Sequence, residues 1–401
     1  MRILITGTTY YPALNGQAIF TVNLAEGLAQ RGHDVLVVVP SDEIRACRRE
    51  RKGVQIEAVE SLSLKIWHQD AYFSPFPGKA VRRIFDQFQP EIVHIHDHYP
   101  LSRVVVMEAQ RRRIKSVGTN HFMPENLASY ASWLARIKPL YNWIGWTWML
   151  EVYNRVDIAT AQSQNAADLI CKQGLRPPVF PVSCGIDLGR FHPDPTTDRA
   201  ACRERYGLRP DQKLFLYVGR VDGEKKLEVL LHAMTHLERE DVQLGIAGRG
   251  SAMERLLALA DELQLGERVR FVGFIPNEDL HVLLNSADIF VMPSEAELLS
   301  LASLEAMACG RPVLLANAVA LPELVAEGVN GYLFEPGNPL DAARLMDLLA
   351  SQPERWSEMG QASLERARFH GLDNTLRQYE MLYEKLLANH PIPNLMDELR
   401  V

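Results

Sequence analysis

A chain of 401 residues exceeds the ~250–300 at which one core stops growing, so two domains of similar size are expected. Apolar residues at 47%, charged residues at 23% and ordinary contents of Gly (25) and Pro (23) exclude a disordered, collagen-like or low-complexity chain. The net charge of −7 hides an asymmetry, because residues 1–190 carry 22 Lys/Arg against 17 Asp/Glu and the remainder 21 against 33.

The opening Met1-Arg2-Ile3-Leu4-Ile5-Thr6-Gly7 reaches turn residues after three apolar positions, which reads as a strand and not as a secretory leader. Phe20 to Arg31 predicts a helix ending at Gly32, followed by strands DVLVVVP and EIVHIHD, a helix through Val104 to Arg112, and strand SVGTNHF. The apolar stretch Pro139 to Leu150 falls short of the ~20 residues that cross a bilayer and is interrupted by Asn142 and Gly145. Strand DIATAQS and a further helix follow. Short strands alternating with helices predict parallel βαβ units and a doubly wound sheet. Pro181 to Asp198, rich in Pro, Gly and Asp and without a period, reads as the linker. The second half repeats the scheme with KLFLYVG, VQLGIAG, RVRFVGF, ADIFVMPS and RPVLLA, each leading into a helical stretch. A last helix, Thr375 to Leu387, needs a home away from the second sheet. Ligands of such sheets lie outside the carboxyl ends of the strands, so substrate is expected in a cleft between two facing sheets.

The chemistry-bearing residues fall on those strand ends. The first loop, Gly7 to Gln17, lacks GxGxxG; Gly16 at a helix start suits either backbone amides facing a phosphate or sugar, or a plain turn. After LYVG come Arg220 and Lys225, five apart, a spacing suited to a diphosphate clamp or to a solvated Lys/Glu turn. Glu297 precedes a helix expected near Ser300 and Glu305 lies on its second turn, so two carboxylates flank free helix amides, an arrangement that binds hydroxyls around a phosphate. His94, His96 and His98 share one strand face beside Asp97; with no further ligand cluster, a structural or acceptor-side role is favoured over a metal site. The five cysteines, Cys47, Cys171, Cys184, Cys202 and Cys309, form no CxxC or Cys/His cluster, which points to a reducing, cytoplasmic setting.

Glu297 and Glu305 with seven residues between them, together with YYPALNG, LAQRGHDV, HIHD, TNHF, DIATAQS, CGIDLGRFHP, LYVGRVDGEKK, GIAGRGS, VRFVGF, AMACGRPV and LPELVAEGVNGYLFEPG, resemble the family-four retaining glycosyltransferases and their E-x7-E signature. The resemblance covers nearly the whole chain and implies the α/β fold called GT-B: two Rossmann-like, doubly wound parallel-sheet domains, 1–188 on the acceptor side and 189–371 binding the donor, with 372–401 returning to the first. It also implies sugar transfer from a nucleoside-diphosphate sugar, a UDP-sugar foremost, to an acceptor hydroxyl, with retained configuration and with neither metal nor cofactor, the nucleotide sugar being a substrate. By position, Glu305 would hold the ribose, Glu297 the donor sugar, Arg220 and Lys225 the diphosphate, and His121 the sugar near the reacting centre. Gly16, Gly273, Phe274, Leu299, Ser300 and Leu301 would complete the donor site. The chain departs from the family pattern at Gly16-Gln17, where two glycines are usual, and at Glu297-Leu298-Leu299-Ser300, where E-G-F-G is usual.

Four of the six tryptophans, Trp133, Trp143, Trp146 and Trp148, crowd one segment with Tyr130 and Tyr141, and basic clusters lie at Arg111 to Lys115 and at Arg45, Arg48, Arg49, Arg51 and Lys52. This suits either a packed helix of the first domain or a peripheral contact with an anionic membrane on its inner face. A membrane lipid such as diacylglycerol is the expected acceptor, with a soluble glycan or small metabolite as the alternative. A nucleotide-sugar epimerase and a noncatalytic sensor are the other classes weighed; nucleic-acid binding lacks both a module and a basic balance.

Overall fold

The computed structural model describes residues 1–12, 15–63, 72–121 and 138–391. They form two compact units: one takes the described residues up to Gly185 and resumes at Leu372, the other takes Ile186–Gly371.

In chain order the first unit contains β1 (Arg2–Thr6), α1 (Gly16–Gln30), β2 (Asp34–Pro40), β3 (Cys47–Arg51), β4 (Val54–Val59), the short β5 (Leu62–Ser63) and β6 (Tyr72–Phe73), α2 (Gly78–Phe88), β7 (Ile92–Ile95), α3 (Pro100–Arg112), β8 (Lys115–Thr119), α4 (Lys138–Tyr153), β9 (Ile158–Ala161), α5 (Gln164–Lys172) and β10 (Val179–Pro181). The main sheet runs β10-β9-β8-β7-β1-β2-β4-β3, and every pairing is parallel except β3 with β4. The central strands β1 and β7 are buried at every residue but Arg2, as strands inside a parallel α/β sheet are. Helix α1 starts four residues before the expected Phe20, because the Asn15 side chain caps it by accepting the Ala18 amide at 2.9 Å. The antiparallel edge β3 was not expected. Its sequence CRRER offers no apolar alternation, and its arginines are held by acids instead: Arg48 by Glu57, Arg49 by Asp42 and Glu43, Arg51 by Glu26.

The second unit contains α6 (Arg199–Arg205), β11 (Lys213–Val218), α7 (Leu227–His236), β12 (Val242–Ala247), α8 (Met253–Glu262), β13 (Val269–Gly273), α9 (Leu280–Ser286), β14 (Ile289–Met292), α10 (Leu301–Ala308), β15 (Val313–Ala316), β16 (Gly331–Phe334), α11 (Pro339–Ala350) and α12 (Trp356–Arg368). Its wholly parallel sheet runs β13-β12-β11-β14-β15-β16, so the strand order reverses between β11 and β14. All five strands read from the second half are present; β16 is the addition. The expected linker is corrected at both ends. Pro181 belongs to β10, and the chain beyond Gly185 is already part of the second unit, where Ile186 bridges to Gly371.

The last helix, α13 (Leu372–Leu387), belongs to the first unit. Its Tyr383 hydroxyl meets His94 Nδ1 at 2.7 Å, and Tyr379 lies 3.1 Å from both Thr119 and Thr160. Gly27 of α1 lets it approach: a Cβ there would fall 2.5 Å from Leu376.

Candidate active site

In the second unit the expected residues converge where the strand order reverses, the place at which open α/β sheets bind ligands. The loop after β11 carries Arg220 and a 3-10 turn, Gly223–Lys225, and the loop after the neighbouring β14 carries Glu297. Lys225 Nζ donates to Glu297 Oε1 at 2.6 Å and lies 3.5 Å from Glu224. Burial opposes the ammonium charge, but Glu297 and then Glu224 outweigh it and move the Lys225 pKa up. Arg220 donates to Asp222 at 2.7 Å and to Glu224. The clamp is therefore built among carboxylates, and Lys225 retains donor capacity beyond Glu297 because an ammonium has three protons.

Asp222, which sequence reasoning passed over, ties two loops together by accepting both the amide and the hydroxyl of Ser251 at 2.8 Å. Those loops touch backbone to backbone: a Cβ on Gly248 would fall 1.7 Å from the Gly219 carbonyl oxygen, and one on Gly250 2.3 Å from that of Val221. The Gly-Arg-Gly at a strand end was the available signal, and it also brings Arg249 over the Phe274 ring at 5.4 Å. Phe274 is 52% exposed and Gly273 has φ +80 with open space where a Cβ would stand, so both face a surface that a planar ring can occupy.

Helix α10 begins at Leu301 with Ser300 as its cap; the Ser300 hydroxyl takes the Ser303 amide, so its side chain serves the helix. Leu298 and Leu299, where the family usually has glycine and an aromatic, turn inward and are buried. Glu305 is half-buried on the second turn and has no hydrogen-bond partner among the described residues. Burial pushes its pKa up to about 7 against the opposing pull of Arg190. A carboxylate in an apolar helix without a hydrogen-bond partner among the described residues is suited to accept from hydroxyl donors.

In the first unit the strand order reverses between β1 and β7, and the loops after those strands meet there. Asp97 is the hub: its Oδ1 accepts from the Tyr99 amide and Ser102 hydroxyl, its Oδ2 from the Thr8 amide and the Gln17 side chain. Gln17, where a second glycine is usual, thus pins its own loop, while Gly16 opens helix α1 with free space at its Cβ position. His121 follows β8, with Phe20 and His96 rings 4.9 and 5.7 Å away. The shared strand face holds for His94 and His96, 4.4 Å apart, whereas His98 lies past the strand end and stacks on Tyr99. Among the described residues no three His, Cys, Asp or Glu side chains are placed to hold a metal ion.

Residues 14–190 match the family model described as Glycosyltransferase Family 4, and residues 198–366 match that described as Glycosyl transferases group 1. The D-inositol 3-phosphate glycosyltransferase of Streptomyces bingchenggensis is 31% identical over 310 residues, covering 74% of this chain and 67% of that protein. This chain belongs to glycosyltransferase family 4. A GDP-mannose-dependent alpha-mannosyltransferase of Corynebacterium glutamicum is 27% identical over 97% of this chain and 88% of its own. Among solved structures, Anabaena HepE in complex with UDP superposes with a TM-score of 0.78 at 19% identity, covering 96% of this chain and all of that one, which shows the GT-B fold.

For this glycosyltransferase the aromatic segment divides between the two readings. Trp146 is only 5% exposed and belongs to the core, whereas Trp143 is 65% exposed and Trp148 42%, the latter set edge-on to His98. Leu140 and Ile144 join the exposed pair, so α4 carries one apolar stripe outside and one inside. Trp133 and Tyr130 lie outside the described residues, as does the Tyr141 side chain. Both basic clusters are largely neutralised: Arg111 and Arg112 pair with Glu108, and Lys52 joins Arg51 on Glu26. No described helix is long and apolar enough to cross a membrane.

Proposed function

We propose that this family-four enzyme moves a sugar, with retained anomeric configuration and without a metal, from a nucleoside-diphosphate sugar to an acceptor hydroxyl. Glu305 carries the donor half of the reading. Its partnerless carboxylate on the second turn of α10, beyond the capped N-terminus and one loop from Lys225, suits a ribose whose diphosphate lies toward that terminus and the ammonium. As the sugar–phosphate bond breaks, negative charge grows on the leaving oxygen, and Arg220, Lys225 and the helix amides meet it. The acceptor oxygen bonds to the anomeric carbon while its proton passes to the departing phosphate, so no protein base is required. An inverting route would need such a base.

HepE's complex with UDP supports a UDP-linked donor, and the mannosyltransferase makes GDP-mannose the comparison. On the acceptor side, a cavity of about 710 Å³ in the first unit opens between the first loop and the ends of β2 and β4, lined by Tyr10, Tyr11, Arg49, Arg51 and Ala58 among others. The inositol-phosphate relative favours a small polyol there. A lipid-borne acceptor at the inner face of the membrane is the second reading, favoured by the exposed stripe Leu140, Trp143, Ile144 and Trp148. Incubating the enzyme with UDP-glucose, other UDP-sugars and GDP-mannose, and following nucleotide release with and without an inositol phosphate or diacylglycerol vesicles, tests both halves. UDP release from one UDP-sugar is expected; release from GDP-mannose alone overturns the donor, and an inverted product overturns retention.

A further inference from the structure

Strands β8 and β9 pair with Thr119 opposite Thr160, so the residues two further along each strand, His121 and Gln162, emerge side by side. The Gln162 side-chain nitrogen has two partners: the Asn120 carbonyl oxygen at 3.3 Å and His121 Nδ1 at 2.5 Å. A carbonyl only accepts, so the amide turns its NH2 group toward Asn120. That same NH2 faces His121 Nδ1, which must then accept, and a neutral imidazole that accepts at Nδ1 carries its proton on Nε2. His121 is kept neutral by burial, which draws its pKa down to about 3. Its Nε2 is buried and has no hydrogen-bond partner among the described residues.

The neighbouring imidazole does not supply a charge that would alter this assignment. Thr21 has one hydroxyl proton and two contacts, the Gln17 carbonyl at 2.8 Å and His96 Nδ1 at 2.7 Å. Both are hydrogen bonds only when Thr21 donates to the carbonyl and His96 Nδ1–H donates to Thr21. That assignment puts a proton on Nδ1, and burial together with His94 and His121 keeps His96 from taking a second, which leaves a bare lone pair on its buried Nε2. The other described ring against His121, Phe20 of α1, is apolar.

We propose that Gln162 is a positioning residue that fixes the His121 proton on Nε2, so that His121 meets the sugar substrate as a hydrogen-bond donor to oxygen and not as a base. The proposal rests on the reading that His121 faces the sugar. It places a polar side chain between Ala161 and Ser163 in the service of the next strand, and it defines the group that His121 takes as a sugar oxygen with a free lone pair.

The test is two-bond proton–nitrogen correlation on the full-length protein with 15N-labelled histidine, the His121 signals being assigned by their loss in His121→Gln. The parent is expected to show the Nε2–H pattern. Gln162→Glu offers only an acceptor and should move the proton to Nδ1 or charge the ring, with nucleotide release from the active donor falling roughly tenfold or more. Should the buried carboxylate prevent folding, Gln162→Met, of similar length and without a donor, should convert the single tautomer into a mixture. An Nδ1–H pattern in the parent, or an unchanged Nε2–H pattern in the folded variants, overturns the proposal whether or not transfer is observed. A parent that transfers no sugar to any acceptor overturns the functional reading while leaving the tautomer result to stand by itself.

Discussion

Glu305 shows how one carboxylate trades stability for binding. With its pKa held near 7 by burial, the free enzyme near neutrality contains both forms of the group, and only the anion accepts two ribose hydroxyls. The affinity for UDP should therefore be steady above about pH 8 and weaken as pH falls through 7, a dependence that calorimetry at several pH values would show and that Glu305→Gln should abolish. The stability effect has the opposite sense. Because the folded pKa exceeds the ordinary 4.5, the folded state holds the proton more tightly, and this group's contribution falls as pH rises from about 4.5 to 7. Glu305→Gln should thus bind UDP more weakly yet gain about 1–3 kcal/mol in denaturant unfolding at pH 8. A variant with parent stability at pH 8 would show that the carboxylate is not destabilised by burial. Lys225→Ala should lower turnover by about 10² to 10³ in a folded protein; steady-state kinetics beside a melting curve would show near-parent turnover if the ammonium plays no part. At this scale the sequence exposed the residues whose neighbours are close along the chain, such as Lys225, five after Arg220. It hid those whose partners arrive by strand pairing. Nothing local marks Gln162, whose partners Asn120 and His121 come from another strand end; Asp97 is marked only by its histidine neighbours, not by Thr8 and Gln17, which also come from another strand end.

Helix α4 shows why elements are read more easily than their faces. Its existence is legible in the apolar run from Pro139, but tryptophans at 143, 146 and 148 point three ways around a helix, and which way the core lies depends on the sheet beneath. Trp146→Ala should cost about 3–5 kcal/mol, as truncation of a core aromatic does, whereas Trp143→Ala should change stability by no more than about 0.5 kcal/mol. Equal losses in urea unfolding would contradict the two-stripe description. If the outer stripe docks on lipid, Trp143→Ala with Ile144→Ala should abolish co-sedimentation with vesicles, and high salt should matter little because the adjacent arginines are already paired. The strands followed the same logic: short apolar runs announce a strand buried on both faces, while β3 passed unseen because it is charged, β5, β6 and β10 because they are only two or three residues long, and β4 and β16 were not read either.

At the scale of the whole molecule, buried histidines set the acid limit. Desolvation is the first cause for His94, His96, His98, His121 and His370, and it pulls all five below the ordinary 6.5, to about 3 for His94 and His121 and about 4 for His98 and His370. The unfolded chain protonates these rings near 6.5 and the folded one does not, so unfolding takes up protons and stability falls as pH drops below about 6.5. Each ring contributes up to about 1.4 kcal/mol per pH unit, and the four in the first unit are together enough to unfold a domain of ordinary stability near pH 5. Denaturant midpoints at pH 7.5, 6.5 and 5.5 would check this, and midpoints independent of pH would refute it. The return of α13 to the first unit carries a consequence for biosynthesis. Among the described residues the second unit is one continuous stretch, Ile186–Gly371, which can close as soon as it has left the ribosome. The first is begun earlier but finished later, since His94, Thr119 and Thr160 wait for Tyr379 and Tyr383 until the intervening stretch has been translated, on the order of ten seconds or more at roughly 5–20 residues per second. The half that emerges first is the half that must be sheltered longest.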